Sequence, residues 1–195
     1  MRYSQHLVTA PLNLALRTRV LDVAGWRYSS RMRERLTARV LLFDPAGAIL
    51  LLRGRMPGRP PSSSSWHTIG GGVDPGETLE QAAHREVAEE SGFTEIDLGP
   101  VVWTRSGEGS LITGERVMFR EHYFVGRCAG GEPSRAGWAD YETDLIDDIR
   151  WWTPQDLAGL TERIYPERFL ELIPAIAAGV YPAPPLEITV TRAKT

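Results

Sequence analysis

Three glutamates with helical spacing lie in the segment Arg85-Glu86-Val87-Ala88-Glu89-Glu90 of this 195-residue chain. Glu86, Glu89 and Glu90 stand at i, i+3 and i+4, so on a helix their side chains leave one face within about one turn. Carboxylates held this close repel one another unless a cation lies among them, and hard divalent cations prefer oxygen ligands. The spacing therefore indicates a divalent-metal site, although an isolated E-x-x-E-E pattern is more often a solvated helix face.

The residues before this segment favour the metal site. Gly70–Gly72 lies a short distance upstream, and glycine lets a backbone approach the carboxylates closely because it has no side chain. Thr78 and Gln81 form a capping box that predicts a helix start, and Gly92 suits the left-handed residue that ends a helix. The sequence thus predicts a capped helix that presents three carboxylates to a glycine segment.

Residues 71–93, GGVDPGETLEQAAHREVAEESGF, resemble the Nudix box, G-x5-E-x7-R-E-U-x-E-E-x-G-U, where U is a bulky apolar residue. All fixed positions and both apolar positions match: Gly71, Glu77, Arg85, Glu86, Val87, Glu89, Glu90, Gly92 and Phe93. One departure is Ile69-Gly70, where many family members have a proline before the glycine pair. The resemblance implies an α+β Nudix fold, an α/β/α sandwich with a mixed sheet, here with an N-terminal extension and C-terminal helices.

The resemblance also implies roles for residues of the box. Glu86, Glu89 and Glu90 would be the catalytic residues and would bind Mg²⁺ or Mn²⁺ together with the carbonyl of Gly71. Glu77 would pair with Arg85 and support the site without being a ligand.

A carboxylate outside the box is expected to complete the site. Glu142 is the preferred further metal ligand, because many Nudix enzymes have an acid shortly before an aromatic segment such as Trp151-Trp152. Glu121 is the next candidate. The general base would be Glu86 or one of these later carboxylates, and the sequence does not decide between them. Arg53, Arg55 and His67 are also predicted to contact substrate, with surface arginines and a packed histidine as the ordinary alternatives.

The implied reaction is cleavage of the pyrophosphate linkage in a nucleoside diphosphate joined to another moiety, X. The alternative is a Nudix module that senses nucleotides or binds RNA 5′ ends with little turnover. Diphosphate isomerisation is not favoured, because the related enzymes use a catalytic cysteine and Cys128 lies outside the box. The loops at 56–67 and 105–145 are expected to select the substrate.

The remaining elements are predicted from hydrophobic pattern and turn residues. Five strands and two helices are expected, and a loop at 56–65 lies before the glycine segment. The strands are placed at 37–44, 48–52, 96–104, 116–127 and 148–152, and the helices start at Thr153 and Pro166. The domains are predicted as a basic extension (1–36), a Nudix domain (37–181) and an irregular tail (182–195).

Composition sets further expectations. The net charge of −3 predicts no general attraction to nucleic acid or to an anionic membrane. A single cysteine, no apolar run of membrane-spanning length and no secretory signal favour the cytoplasm. The expected partner is a small-molecule nucleotide, and a homodimer stays open.

Overall fold

The computed structural model describes residues 32–56, 58–111 and 113–188, without the side chains of residues 141 and 142. The predicted N-terminal extension lies outside this range up to residue 31. Its last three residues, 34–36, belong to the first strand, so the strand begins earlier than the apolar run alone predicts.

Eight strands and four helices are present in the described part of the chain. The strands are β1 (Glu34–Phe43), β2 (Ile49–Gly54), β3 (Ser65–Gly72), β4 (Ile96–Ser110), β5 (Arg116–Cys128), β6 (Ile146–Trp152), β7 (Ile164–Tyr165) and β8 (Leu186–Ile188). The helices are α1 (Leu79–Ser91), α2 (Asp140–Leu145), α3 (Pro154–Ala158) and α4 (Phe169–Ala177).

The strands form one mixed sheet in the order β6-β2-β3-β1-β5-β4-β8, and β7 pairs with β3. The neighbours β1 and β5 run parallel, as do β4 and β8, whereas β1 and β3 run antiparallel. Strand β1 therefore lies beside the glycine end of β3 on one side and beside β5 on the other. In this position its side chains can contact residues from both neighbours.

The two faces of the sheet carry separate hydrophobic cores, because successive side chains of a strand point to opposite faces. On one face, Val40 of β1 packs with Val87 of α1. On the other face, Leu41 of β1 packs with Leu157 of α3 and Ile173 of α4. Helices thus cover both faces of a mixed sheet, which confirms the predicted α/β/α sandwich.

Helix α1 begins and ends as its sequence predicts. The Thr78 hydroxyl accepts a hydrogen bond from the Gln81 backbone N–H, and the Gln81 side chain accepts one from the Thr78 N–H. Gly92 ends the helix in the left-handed region, at φ 79°. Because both end signals are local, they operate before any tertiary contact forms.

Three regions differ from the sequence prediction. Residues Ser65–Gly72 form a strand, although serines and glycines at its ends favour loop states. Strand β4 continues to Ser110 because β5 pairs with it over that length, so the predicted loop at 105–145 begins as a long hairpin. The tail predicted as irregular contains β8, Leu186–Ile188, which gains its hydrogen bonds from β4. In all three cases, pairing with another strand of the sheet overrides local preference.

None of the helices within residues 32–56, 58–111 and 113–188 is both long enough and apolar enough to cross a membrane.

Candidate active site

Two of the three box glutamates face the glycine end of β3. Glu86 and Glu90 are buried, at 9% and 8% exposure, whereas Glu89 is exposed. The backbone N–H of Gly70 donates to Glu90 Oε2 at 2.7 Å. On the predicted face of α1, two carboxylates are therefore buried against the sheet, and the third is exposed to solvent.

Gly71 makes room for the carboxylate of Glu86. A Cβ atom at Gly71 would stand 2.5 Å from Glu86 Oε1 and 2.7 Å from Oε2, far inside ordinary contact distance. The backbone and the carboxylate can lie side by side only because position 71 has no side chain. The predicted backbone ligand and the predicted carboxylate ligand are thus brought together.

Arg85 connects the carboxylates of the box. Its Nε and Nη2 donate to the two oxygens of Glu77, each at 2.9 Å, which is the bidentate geometry of strong arginine–carboxylate pairs. Its Nη1 donates to Glu86 at 2.8 Å and to Glu89 at 3.0 Å. The structure therefore contains the pairing of Glu77 with Arg85, and its part in metal binding stays a prediction.

Pairing with Arg85 changes the protonation of Glu77. The hydrogen bonds from Arg85, with help from the Asp74 N–H, lower the pKa of Glu77 to about 2, below its ordinary 4.5. These same hydrogen bonds raise the pKa of Arg85 despite partial burial of its guanidinium. Both groups therefore stay charged over the whole range in which a protein is folded.

The metal-binding geometry is incomplete in the structure. Within the described part of the chain, no three Asp, Glu, His or Cys side chains converge so as to hold an ion. The Nη1 of Arg85 takes the position of a cation between Glu86 and Glu89. A divalent cation nevertheless fits the donor set, because Gly71 leaves space at Glu86 and every group offered is a hard oxygen donor.

Burial perturbs the protonation of Glu86. Its pKa is raised because desolvation disfavours the charged form, and the hydrogen bond and charge of Arg85 only partly offset this. A cation beside Glu86 would stabilise the charged carboxylate.

A second group of charged residues lies behind the glycine segment. Nη1 of Arg39, on β1, donates to the carbonyl oxygen of Gly70. Nε of Arg39 lies 3.5 Å from Glu121 Oε1, and Glu121 Oε2 accepts hydrogen bonds from Arg105 at 2.7 Å and from Tyr123 at 3.3 Å. Glu121, the alternative later carboxylate, is 8% exposed, with hydrogen bonds to Oε2 and the Arg39 guanidinium facing Oε1.

This second group lines a small cavity. The cavity measures about 150 Å³ and is lined by Arg39, His67, Thr68, Arg105, Glu121, Tyr123 and Tyr165. A larger surface pocket of about 350 Å³ lies at β6 and α3, lined by Arg150, Trp151, Trp152, Gln155, Asp156 and Gly159. The smaller cavity is the one connected to the box, because Arg39 contacts Gly70 directly.

The predicted substrate-binding residues have different surroundings. Burial lowers the pKa of His67 to about 4, and the charge of Arg39 adds to the effect, so the ring is neutral at pH 7. Arg53 donates to Glu162 at 2.7 Å, and Arg55 donates to Asp147 at 2.7 Å. Both arginines hold surface acids in the structure, and their contact with substrate stays a prediction.

The preferred later ligand, Glu142, belongs to α2, and its side chain lies outside the described residues. Sequence reasoning missed Arg39 and Arg105 altogether. The available signal was a charge inside an apolar strand, since Arg39 interrupts Ala38-Arg39-Val40-Leu41. A buried arginine requires partners, which the sequence does not identify.

Comparisons with known proteins identify the family of the chain. Residues 33–173 match the family model of the NUDIX domain. The chain is 32% identical over 128 residues to an oxidized purine nucleoside triphosphate hydrolase of Danio rerio, covering 61% of this chain and 78% of the relative. It is 33% identical over 138 residues to the nucleoside triphosphatase NudI of Escherichia fergusonii, covering 65% and 87%.

A solved structure shows the same fold at lower identity. The MutT protein of Methanosarcina mazei Go1 superposes with a TM-score of 0.57 at 21% identity, covering 76% of this chain and 98% of that protein. Since the family model spans well over half of the chain and contains the carboxylate helix and the glycine segment, this protein belongs to the NUDIX domain family.

Proposed function

We propose that the protein hydrolyses the pyrophosphate linkage of a nucleoside diphosphate joined to a moiety X, with Mg²⁺ or Mn²⁺ as cofactor. One observation carries the proposal: Glu86 and Glu90 are buried on one helix face directly against Gly70 and Gly71. Two buried carboxylates on one helix face repel each other, and a divalent cation bound by both would relieve this repulsion and complete an oxygen site.

The proposed ligands are Glu86, Glu89 and Glu90 with the Gly71 carbonyl, and Glu142 as a further candidate. Bound there, the cation would neutralise charge on the phosphate oxygens and favour attack by water on phosphorus. Glu86 suits the role of general base, because its carboxylate is buried against Gly71 beside the proposed metal position, where an attacking water would lie.

Arg85 has two proposed tasks. It holds Glu77 with one side of its guanidinium and Glu86 and Glu89 with Nη1. Metal binding would replace the Nη1 contacts, while the contacts with Glu77 and with the Gly72 carbonyl would keep the arginine in place. Glu77 therefore restrains a cationic side chain that would otherwise compete for the carboxylates.

The relatives set the order in which substrates are tried. Two of them are named for action on nucleoside triphosphates, in which X is phosphate. The panel therefore begins with ordinary and oxidised nucleoside triphosphates and continues with ADP-ribose, nucleotide sugars and dinucleoside polyphosphates. The expected products, separated by chromatography, are a nucleoside monophosphate and phosphorylated X, formed only with Mg²⁺ or Mn²⁺. Nucleotide binding without metal-stimulated hydrolysis of any compound would instead support the sensing module.

Glu90→Gln tests the assignment of the site. The substitution keeps the shape and an acceptor for the Gly70 N–H but removes the charge, and we expect turnover to fall about a hundredfold or more. Glu80→Gln is the matched control, since Glu80 is exposed on the first turn of the same helix. Undiminished metal-dependent turnover in Glu90→Gln would show that the metal site has been assigned wrongly.

A further inference from the structure

We propose that Arg39 is a positioning residue, which fixes the peptide between Gly70 and Gly71 and thereby the backbone part of the metal site. The inference rests on the proposed function, because it concerns how that site is held. It assigns a role to a residue outside the box, on the opposite face of the sheet from α1.

Arg39 contacts the glycine segment directly. Nη1 of Arg39 donates to the carbonyl oxygen of Gly70, and Arg39 lies directly across from Gly70 in the pairing of β1 with β3. Gly70 has a φ of +129°, and a Cβ there would stand 2.1 Å from the Ala38 carbonyl oxygen. The backbone at Gly70 therefore has a conformation that only glycine adopts easily. Such a conformation persists only when surrounding contacts hold it.

Gly71 lies between two residues whose carbonyl oxygens accept hydrogen bonds from arginines. Arg39 holds the Gly70 carbonyl, and Arg85 holds the Gly72 carbonyl at 3.0 Å. The Gly70 N–H is held in turn by Glu90. Because three successive glycines do not restrict their own dihedral angles, these contacts add to the pairing of β1 with β3 in fixing the orientation of the Gly71 carbonyl.

The Arg39 side chain is in turn held by an acid on β5. Glu121 faces its Nε, and Glu121 is fixed by Arg105 and by the Tyr123 hydroxyl. Burial raises the pKa of Tyr123, and the charge of Glu121 raises it further, so the hydroxyl stays a neutral donor. The Arg39 guanidinium thus spans from an acid on β5 to the Gly70 carbonyl on β3.

The Arg39 guanidinium keeps its positive charge. Burial lowers the pKa of Arg39, but the charges of Glu121, Glu90 and Glu86 outweigh burial and raise it overall. Arg39 therefore stays charged, and a charged donor makes a stronger hydrogen bond to a carbonyl than a neutral one does. A half-buried charge in an apolar strand is costly unless it is paired, and here its ion-pair partner is Glu121.

The test is Mn²⁺ binding without substrate, measured as free Mn²⁺ by electron paramagnetic resonance. We expect Arg39→Met to weaken binding about tenfold, the lower range for loss of a residue that orients a metal ligand. Arg39→Lys keeps the charge and one donor but not the fork, so its affinity should lie between those of Arg39→Met and the unsubstituted protein.

Arg120→Met is the matched control. It also removes an arginine that pairs with an acid of a neighbouring strand, but in the described chain the Arg120 side chain donates to Glu34 and Ser106 rather than to the glycine segment or to Glu121. We expect its Mn²⁺ affinity to stay within about twofold of that of the unsubstituted protein. Hydrogen exchange in the metal-free protein should quicken at residues 69–72 in Arg39→Met and not in Arg120→Met.

The inference is overturned if Arg39→Met binds Mn²⁺ as tightly as the unsubstituted protein, or if Arg120→Met loses as much affinity as Arg39→Met does. If Arg39→Met does not fold, Arg39→Lys decides: unchanged affinity and unchanged exchange at 69–72 overturn it. If the unsubstituted protein binds no Mn²⁺, the proposed function and the inference fail together. If the unsubstituted protein binds Mn²⁺ and the Arg39 substitutions do not alter that binding, the inference fails and the proposed function stands.

Discussion

Replacing Gly71 by alanine measures how far activity depends on the position of the Glu86 carboxylate. The new Cβ would stand 2.5 Å from Glu86 Oε1, whereas ordinary contacts begin near 3.4 Å, so the carboxylate must move by about 1 Å. Glu86 cannot swing freely, because it is buried and held by Arg85 at 2.8 Å. A misplacement of about 1 Å at a reacting group costs about a hundredfold, and we expect that loss in kcat/KM.

The same substitution should leave the fold intact. The φ of Gly71 is outside the left-handed region, so alanine can adopt the backbone conformation there. Alanine also reduces the freedom of the unfolded chain, which favours folding by about 0.4–1 kcal/mol and offsets part of the cost of moving Glu86. The net change in the free energy of unfolding should be within about 2 kcal/mol.

The assay combines three measurements on Gly71→Ala: turnover of the best substrate of the panel, Mn²⁺ affinity and urea unfolding. Gly159→Ala is the control, because its Cβ would meet only atoms at 3.7 Å or more and its backbone is helical. Gly70→Ala gives the contrast, since a Cβ 2.1 Å from a backbone oxygen should prevent folding. A folded Gly71→Ala protein with kcat/KM within about threefold of the original would refute the importance of this contact.

Two further predictions concern pH and stability. Because His67 resists protonation in the folded protein down to about pH 4, whereas an unfolded histidine titrates near 6.5, stability should fall as pH drops from 6.5 to about 4. Over this pH range, the free energy of unfolding of His67→Gln should fall by about 3 kcal/mol less than that of the unsubstituted protein. Equal slopes of the free energy of unfolding against pH in the two proteins would contradict this. For Glu77, whose pKa is lowered to about 2, the stability gained by pairing is present above pH 4.5 and lost as pH falls through 2. The difference in urea midpoint between the unsubstituted protein and Glu77→Gln should therefore shrink between pH 5 and pH 2, and a constant difference would exclude the pairing as its cause.

Local signals account for what could be predicted correctly. The boundaries of α1 follow from Thr78, Gln81 and Gly92, whose effects reach no further than one helical turn. The strand at Ser65–Gly72 could not be predicted, because its serines and glycines favour loops and its pairing comes from β1 and β2, which are distant in sequence. The same holds for Leu186–Ile188, which is a strand only because β4 offers it hydrogen bonds.

The candidate site divides in the same way. By itself the sequence determined the helix, the spacing of Glu86, Glu89 and Glu90 and the family, because carboxylates at i, i+3 and i+4 share a face in any α-helix. Only the tertiary structure decided which of them are buried, that Arg85 occupies the place of a cation, and that Arg39 holds Gly70. The reason is physical: helix geometry repeats over a few residues, whereas a contact between β1 and β3 exists only after the sheet has set their register.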